Sequence, residues 1–177
     1  MELIEPSVRY KDSFIAAVKE FQADSDCANR TKRYQQMSTT ELEGDFDAYV
    51  AQEVGYSRGE NLPEEYVPYF NFWLVDGGEF IGRVSVRNAL TDYLAKFGGH
   101  IGYDIRPSKR GHGYGNEILR LALESAKAIG IVRVLITVDE RNAASRKIVE
   151  KNGGILGDQI QNPETGSDFM RYWIDIK

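Results

Sequence analysis

The sequence predicts one mixed α/β domain. A central mixed sheet of about six to seven strands is expected, antiparallel in its N-terminal half and β-α-β in its C-terminal half, with about four helices. Three observations carry this. Apolar residues recur with period two across residues 70–87 and with helical period on either side of it. Glycines at Gly130 and Gly153-Gly154 close helical runs in the second half. No repeat, low-complexity tract or linker interrupts the 177 residues, so residues 1–177 read as a single domain.

In chain order, Glu2-Leu3-Ile4 reads as a short first strand. Ser7 can cap a helix from about Val8 to Ala23, with Phe14, Ile15, Val18 and Phe21 at helical spacing. A loop from Asn29 to Met37 follows. Ser38 and Glu41 fit a capping box that opens a second helix running to about Val54. Phe70, Phe72 and Leu74 then alternate with Asn71, Trp73 and Val75. Asp76-Gly77-Gly78-Glu79 makes a hairpin turn into a strand from Phe80 to Arg87. After a loop near 90–99, His100 to Ile105 reads as a further strand, stopped by Pro107. A helix from about Tyr114 to Ile129 places Ile118, Leu119, Ala122, Ala126 and Ile129 on one face. Val132 to Val138 is nearly all apolar, as a strand buried on both faces should be. Asn142 caps a short helix, and Ile155–Ile160 and Phe169–Ile176 complete the sheet.

Composition narrows the function. The chain is 42% hydrophobic and 28% charged, with a net charge of −5, which argues against a general nucleic-acid binder. It has no apolar run near membrane-spanning length and no basic-then-apolar leader, so no membrane role is expected. The single cysteine, Cys27, sits in no nucleophile pattern and points to a reducing, cytoplasmic setting. Charge is unevenly placed. From Ser38 to Tyr66 eight acids face one base, Arg58, whereas Arg106 to Arg120 holds four bases and one acid, Glu117. Two ligands of opposite sign are one reading, and solvated surface is the other.

The basic stretch carries the strongest signal. Gly111, Gly113 and Gly115 alternate at the start of a helix whose N-terminal N–H groups have no internal partner. With Lys109 and Arg110 beside them, they suit a phosphate. A P-loop would require Gly-Lys-Ser/Thr, and Gly115-Asn116 stands there instead. A dinucleotide fingerprint would need G-x-G-x-x-G. Here the third glycine comes one residue early, although Asp139 lies at the end of the next strand, so this remains a minor alternative.

Arg110-Gly111-His112-Gly113-Tyr114-Gly115 resembles the acetyl-CoA pyrophosphate loop of the GCN5-related N-acetyltransferases (GNAT), written Gln/Arg-x-x-Gly-x-Gly/Ala. Asn142-Ala143-Ala144-Ser145, followed by Glu150-Lys151-Asn152-Gly153, resembles that family's second cofactor segment. The element order agrees from about residue 3 to 176, closest to the ribosomal-protein N-acetyltransferase type.

The resemblance implies acetyl-CoA as cosubstrate, with no metal. Its pyrophosphate would lie on the N–H groups of Arg110 through Gly115. Its pantetheine arm would pair with the backbone of Tyr103, Asp104 and Ile105, and Asn142 would reach the same arm. An amine would attack the thioester directly. His100 or Asp104 would remove its proton. His112, inside the loop, is expected to meet cofactor or solvent. Val149 stands where the family often has a tyrosine that protonates the leaving thiolate, so Ser145 and Tyr103 become the candidate donors. That departure keeps a second reading open, a CoA-binding regulatory module without efficient catalysis. The acceptor is expected to be a small-molecule amine or a peptide N-terminus, cationic if the acidic segment lines its cleft. A homodimer is a permitted assembly.

Overall fold

The computed structural model describes residues 1–24, 32–63, 65–163 and 166–176, residue 32 by its backbone alone. Cys27, Glu64 and the start of the loop expected from Asn29 lie outside the described residues. Seven strands form two antiparallel sheets. The first has the order β1 (Glu2–Ile4), β2 (Tyr69–Asp76), β3 (Glu79–Arg87), β4 (Ile101–Ile105). The second runs β5 (Arg133–Asp139), β7 (Asp168–Asp175), β6 (Ile155–Gln161). The two sheets part between β4 and β5.

Among the described residues six α-helices flank these sheets: α1 (Lys11–Ala23), α2 (Lys32–Gln35), α3 (Thr39–Gly44), α4 (Phe46–Gly55), α5 (Tyr114–Ala128) and α6 (Ala143–Lys151). None of the described helices is long and apolar enough to cross a membrane. Two sequence expectations change here. The helix read from Ser38 to Val54 is two helices. Ser38 does cap the first, its Oγ accepting the Glu41 N–H at 3.2 Å, but Asp45 leaves helical geometry and its carboxylate caps α4 through the Ala48 N–H at 3.0 Å. Asp competes for local backbone donors, and this favours a break. The stretch read as loop to Met37 also contains α2. Its support is tertiary: Tyr34 is fully buried and stacks on Phe21 with ring centroids 3.9 Å apart.

Two apolar clusters sit on opposite faces of the first sheet. Leu74, Val84, Val86 and Ile101 pack with α5 and α6 through Ile118, Leu119, Ala122 and Val149. On the other face, Phe14, Val18 and Phe21 of α1 pack with Phe46, Trp73 and Phe80. Phe14 stacks on Trp73 at 4.7 Å. The alternation along β3 and β4 thus sends Val84, Val86 and Ile101 to one cluster, and leaves Arg83, Ser85, Arg87, Gly102 and Asp104 on the other face.

Candidate active site

The division between the sheets is built from two residues. His100 donates its N–H to the Leu135 carbonyl at 2.8 Å, and the Leu135 N–H donates to the imidazole Nδ1 of His100 at 2.9 Å. From Ile101 onward no hydrogen bond joins β4 to β5 among the described residues. Gly99 makes this contact possible. Its φ is +65°, and a Cβ there would stand 2.5 Å from the Leu135 carbonyl oxygen.

Register fixes which groups line the gap. Arg87 N–H bonds to His100 O at 2.8 Å and Arg106 N–H to Ile81 O at 2.9 Å, both toward β3. By alternation the peptide groups of Gly102 and Asp104 also face β3. Those of Ile101, Tyr103 and Ile105 face the gap, an unpaired strand edge able to bond an extended ligand. Of the three residues expected to pair a ligand through their backbone, Tyr103 and Ile105 turn their peptides to the gap, whereas that of Asp104 points to β3.

At the end of the gap lies the glycine loop. Gly111 and Gly113 have φ of +79° and +87°, and Gly113 is the N-cap of α5 with no side-chain cap. Among the described residues no hydrogen bond within the chain takes the N–H of Gly111, His112, Gly113, Tyr114 or Gly115. Five successive free amides at a helix start suit a diphosphate. Gly115 serves packing instead. A Cβ there would meet Ile148 Cδ1 at 2.5 Å, so this glycine lets α5 lie close on α6. The basic side chains are also committed elsewhere. Arg110 pairs with Asp24, Lys109 with Glu79 at 2.6 Å, and Arg106 with Glu20 at 2.7 Å. They moor the loop to α1 and to the β2–β3 hairpin. Tyr114 donates its hydroxyl to Asp76 at 3.0 Å, and His112 is exposed.

Asn142 is the N-cap of α6, its Oδ1 accepting the Ser145 N–H at 3.1 Å. Ser145 Oγ lies 2.9 Å from the Tyr103 hydroxyl, so the two candidate donors form one pair across β4 and α6. Burial pushes the Tyr103 hydroxyl up to about 12. Val149 is fully buried in the core, where the Cβ of any residue at 154 would meet it at 2.4 Å.

The candidate bases differ. His100 offers only Nε2, because Nδ1 is occupied, and burial followed by the charge of Arg87 holds its pKa below the ordinary value. Asp104 is half-buried, and among the described residues no hydrogen bond or ion pair within 4.0 Å reaches its carboxylate. Burial raises its pKa, against the opposing pull of Arg83, Arg33 and Arg110. The acidic segment does not form one wall. Glu41, Glu43 and Asp47 are exposed, Asp45 is a cap, Glu60 pairs with Arg58, and among the described residues of the segment Glu53 is the buried acid, on the β2–β3 side. No sequence signal marked Arg33 and Arg83, which stand beside it, or Arg87 on the same face of the sheet.

Residues 10–155 match the family model of the acetyltransferase (GNAT) domain. The chain belongs to the GNAT family. It is an acetyl-CoA-dependent acetyltransferase by that membership. No curated protein matches the chain in sequence. Among solved structures, the microcin C7 self-immunity acetyltransferase MccE, in complex with acetyl-CoA and AMP, is 16% identical with a TM-score of 0.70, covering 98% of this chain and 91% of that one. RimJ of Mycobacterium smegmatis, in complex with CoA-disulfide, is 16% identical at TM-score 0.68, covering 98% and 80%. The Salmonella typhimurium acetyltransferase that modifies the N-terminal serine of ribosomal protein L7/L12 is 18% identical at 0.66, covering 99% and 94%. At these identities the likeness is one of fold.

Proposed function

We propose that this GNAT protein moves the acetyl group of acetyl-CoA onto a primary amine of a small molecule or peptide by direct transfer. The observation that carries the reading is the open edge of β4 beyond His100, leading to five unclaimed amides at Gly111–Gly115. Acetyl-CoA supplies the thioester. Tyr103 and Ile105 offer peptide groups to its pantetheine arm, with Asn142 at the head of α6 beside them, and the loop holds the diphosphate. Asp104 takes the proton from the attacking nitrogen as the new C–N bond forms. The pair Tyr103–Ser145 returns a proton to sulfur as the C–S bond breaks, and the distance of 2.9 Å between their oxygens lets either group supply it. His100 acts as the pin that starts the gap. Val149 needs no catalytic account, because packing explains it.

The test is thiol release from acetyl-CoA over a panel of polyamines, aminoglycosides, amino acids and short peptides. Acceptor-dependent release with a stoichiometric acetylated amine is the expected result. CoA binding with no release for any amine would instead favour the regulatory reading.

A further inference from the structure

The face of the first sheet opposite α5 carries an unusual floor. Three cross-strand rows lie on it: Trp73, Arg83 and Asp104; Asn71, Ser85 and Gly102; Tyr69 and Arg87. Arg33 approaches the same face. Its Nη2 pairs with Glu53 Oε1 at 2.7 Å, and Asn71 donates to the other oxygen of Glu53. Glu53 is therefore satisfied before Arg83, whose Nε stands 3.8 Å from it and makes no hydrogen bond. Arg83 is only 8% exposed. The Arg83 guanidinium is thus held by one long ion pair without a hydrogen bond, so its buried charge is only partly compensated.

Arg87 is in a similar state. It is half-buried, and among the described residues the one hydrogen bond of its guanidinium is from Nη1 to the Gly99 carbonyl at 3.3 Å. Among the described residues no carboxylate lies within 4.0 Å of it. Arg83 and Arg87 both lie 6.0 Å from the ring centre of Tyr69, and after burial the charge of Arg83 is the next cause holding the Arg87 pKa below its ordinary value. The guanidinium of Arg87 overhangs Gly102: a Cβ on that glycine would be 3.7 and 4.0 Å from its two terminal nitrogens, ordinary contact with no clash. The next position on the same face of β4 is Asp104. Three guanidiniums thus share this floor with two carboxylates, one of them held toward its neutral form by burial. The floor lacks an anion.

We propose that the acceptor is an amine that also carries an oxyanion, a carboxylate or a phosphate, held by Arg87 and Arg83 above Gly102 while its amine meets Asp104. The proposal rests on the transfer reading above and names its substrate class. Guanidinium groups suit both oxyanions through paired, charge-assisted hydrogen bonds. Two positions along a strand span roughly 6.5–7 Å. The anion and the amine must be about that far apart, which is too long for an α-amino acid acting through its own carboxylate.

The experiment uses a series of ω-amino carboxylates of increasing length, the matching ω-aminoalkyl phosphates, the matching uncharged amides, and diamines. Acetylation is measured with acetyl-CoA. The efficiency of the anionic amines is expected to peak at about four or five methylene groups, and to exceed that of the amides by roughly 30-fold or more. The carboxylate and phosphate arms decide which oxyanion the site takes. Arg87→Gln should bring the anion-to-amide ratio close to one, whereas Arg87→Lys should keep a preference and so separates lost recognition from lost folding. Amides or diamines accepted as well as the anionic amines would overturn the proposal and leave acetyl transfer standing, as would an anion preference that survives Arg87→Gln. No acetylation of any amine would end both readings.

Discussion

Leu135 gives its backbone N–H to the Nδ1 of His100, and His100 gives its own to the Leu135 carbonyl. One of the two bonds that tie β4 to β5 here thus depends on an imidazole nitrogen that carries no proton. Leu135 is 1% exposed, so the bond has little water to replace it.

This makes the sheet junction sensitive to acid. The folded-state pKa of His100 is depressed, first by burial and then by Arg87. A depressed value means that protonation opposes folding. The stability is fully present above the unfolded value of about 6.5 and is lost as pH falls through the lower folded value. Thermal melts of wild type should therefore fall below about pH 6. His100→Asn, whose side-chain oxygen can accept the same N–H, should melt with a shallower dependence on pH. His100→Ala should cost about 1–3 kcal/mol by leaving that N–H unpaired. Equal slopes in wild type and His100→Asn would remove His100 as the source.

Asp104 should show the opposite relation between rate and stability. Burial raises its folded-state pKa, so its ionised form works against folding at neutral pH, and that cost disappears as pH falls through the raised value. Asp104→Asn should lower kcat/KM by roughly 10²–10⁴-fold while the melting temperature stays equal or rises. The acidic limb of the wild-type profile should lie above the ordinary aspartate range. A small rate loss with an unchanged profile would return the base role to His100 or to solvent.

The alternating glycines should separate in their effects. Gly113→Val places a branched side chain at φ +87°, where nothing within 4 Å blocks it, so the loop must change shape and CoA affinity should fall. Gly115→Val drives its Cβ into Ile148 and should lower stability first. Calorimetry with CoA and a thermal melt on each variant distinguish the two. Equal CoA affinity in Gly113→Val and wild type would take the diphosphate away from this loop.

Much of the fold was legible because period and punctuation agree. Phe70–Leu74, the Gly77-Gly78 turn and the face from Ile118 to Ala126 each predict one element, and each element forms. The exceptions are set by contacts distant in sequence. α2 exists because Tyr34 meets Phe21, and the capping box at Ser38 could not announce that Asp45 would start another helix. The loop glycines were legible as a break before a helix, but Gly115 was not legible as a packing residue, since its reason is Ile148 on α6. Arg83 and Arg87 were hidden in a strand that reads as apolar and polar in alternation. Only the register with Asp104 and Gly102 shows that they share one floor.

β4 is five residues long and serves three surroundings at period two. Its even-numbered residues turn their peptides to β3 and their side chains to the arginine floor. Its odd-numbered residues turn their peptides to the gap and their side chains to the core under α5. A frame slip of one residue would exchange all of these together: an aspartate would enter the core, a tyrosine would enter the floor, and the edge offered to a ligand would belong to the wrong residues. A slip of two would preserve every orientation. Gly99 and the His100–Leu135 contact hold the strand just before its first residue, so they set the reading frame from which both the arginine floor and the edge of the gap are counted.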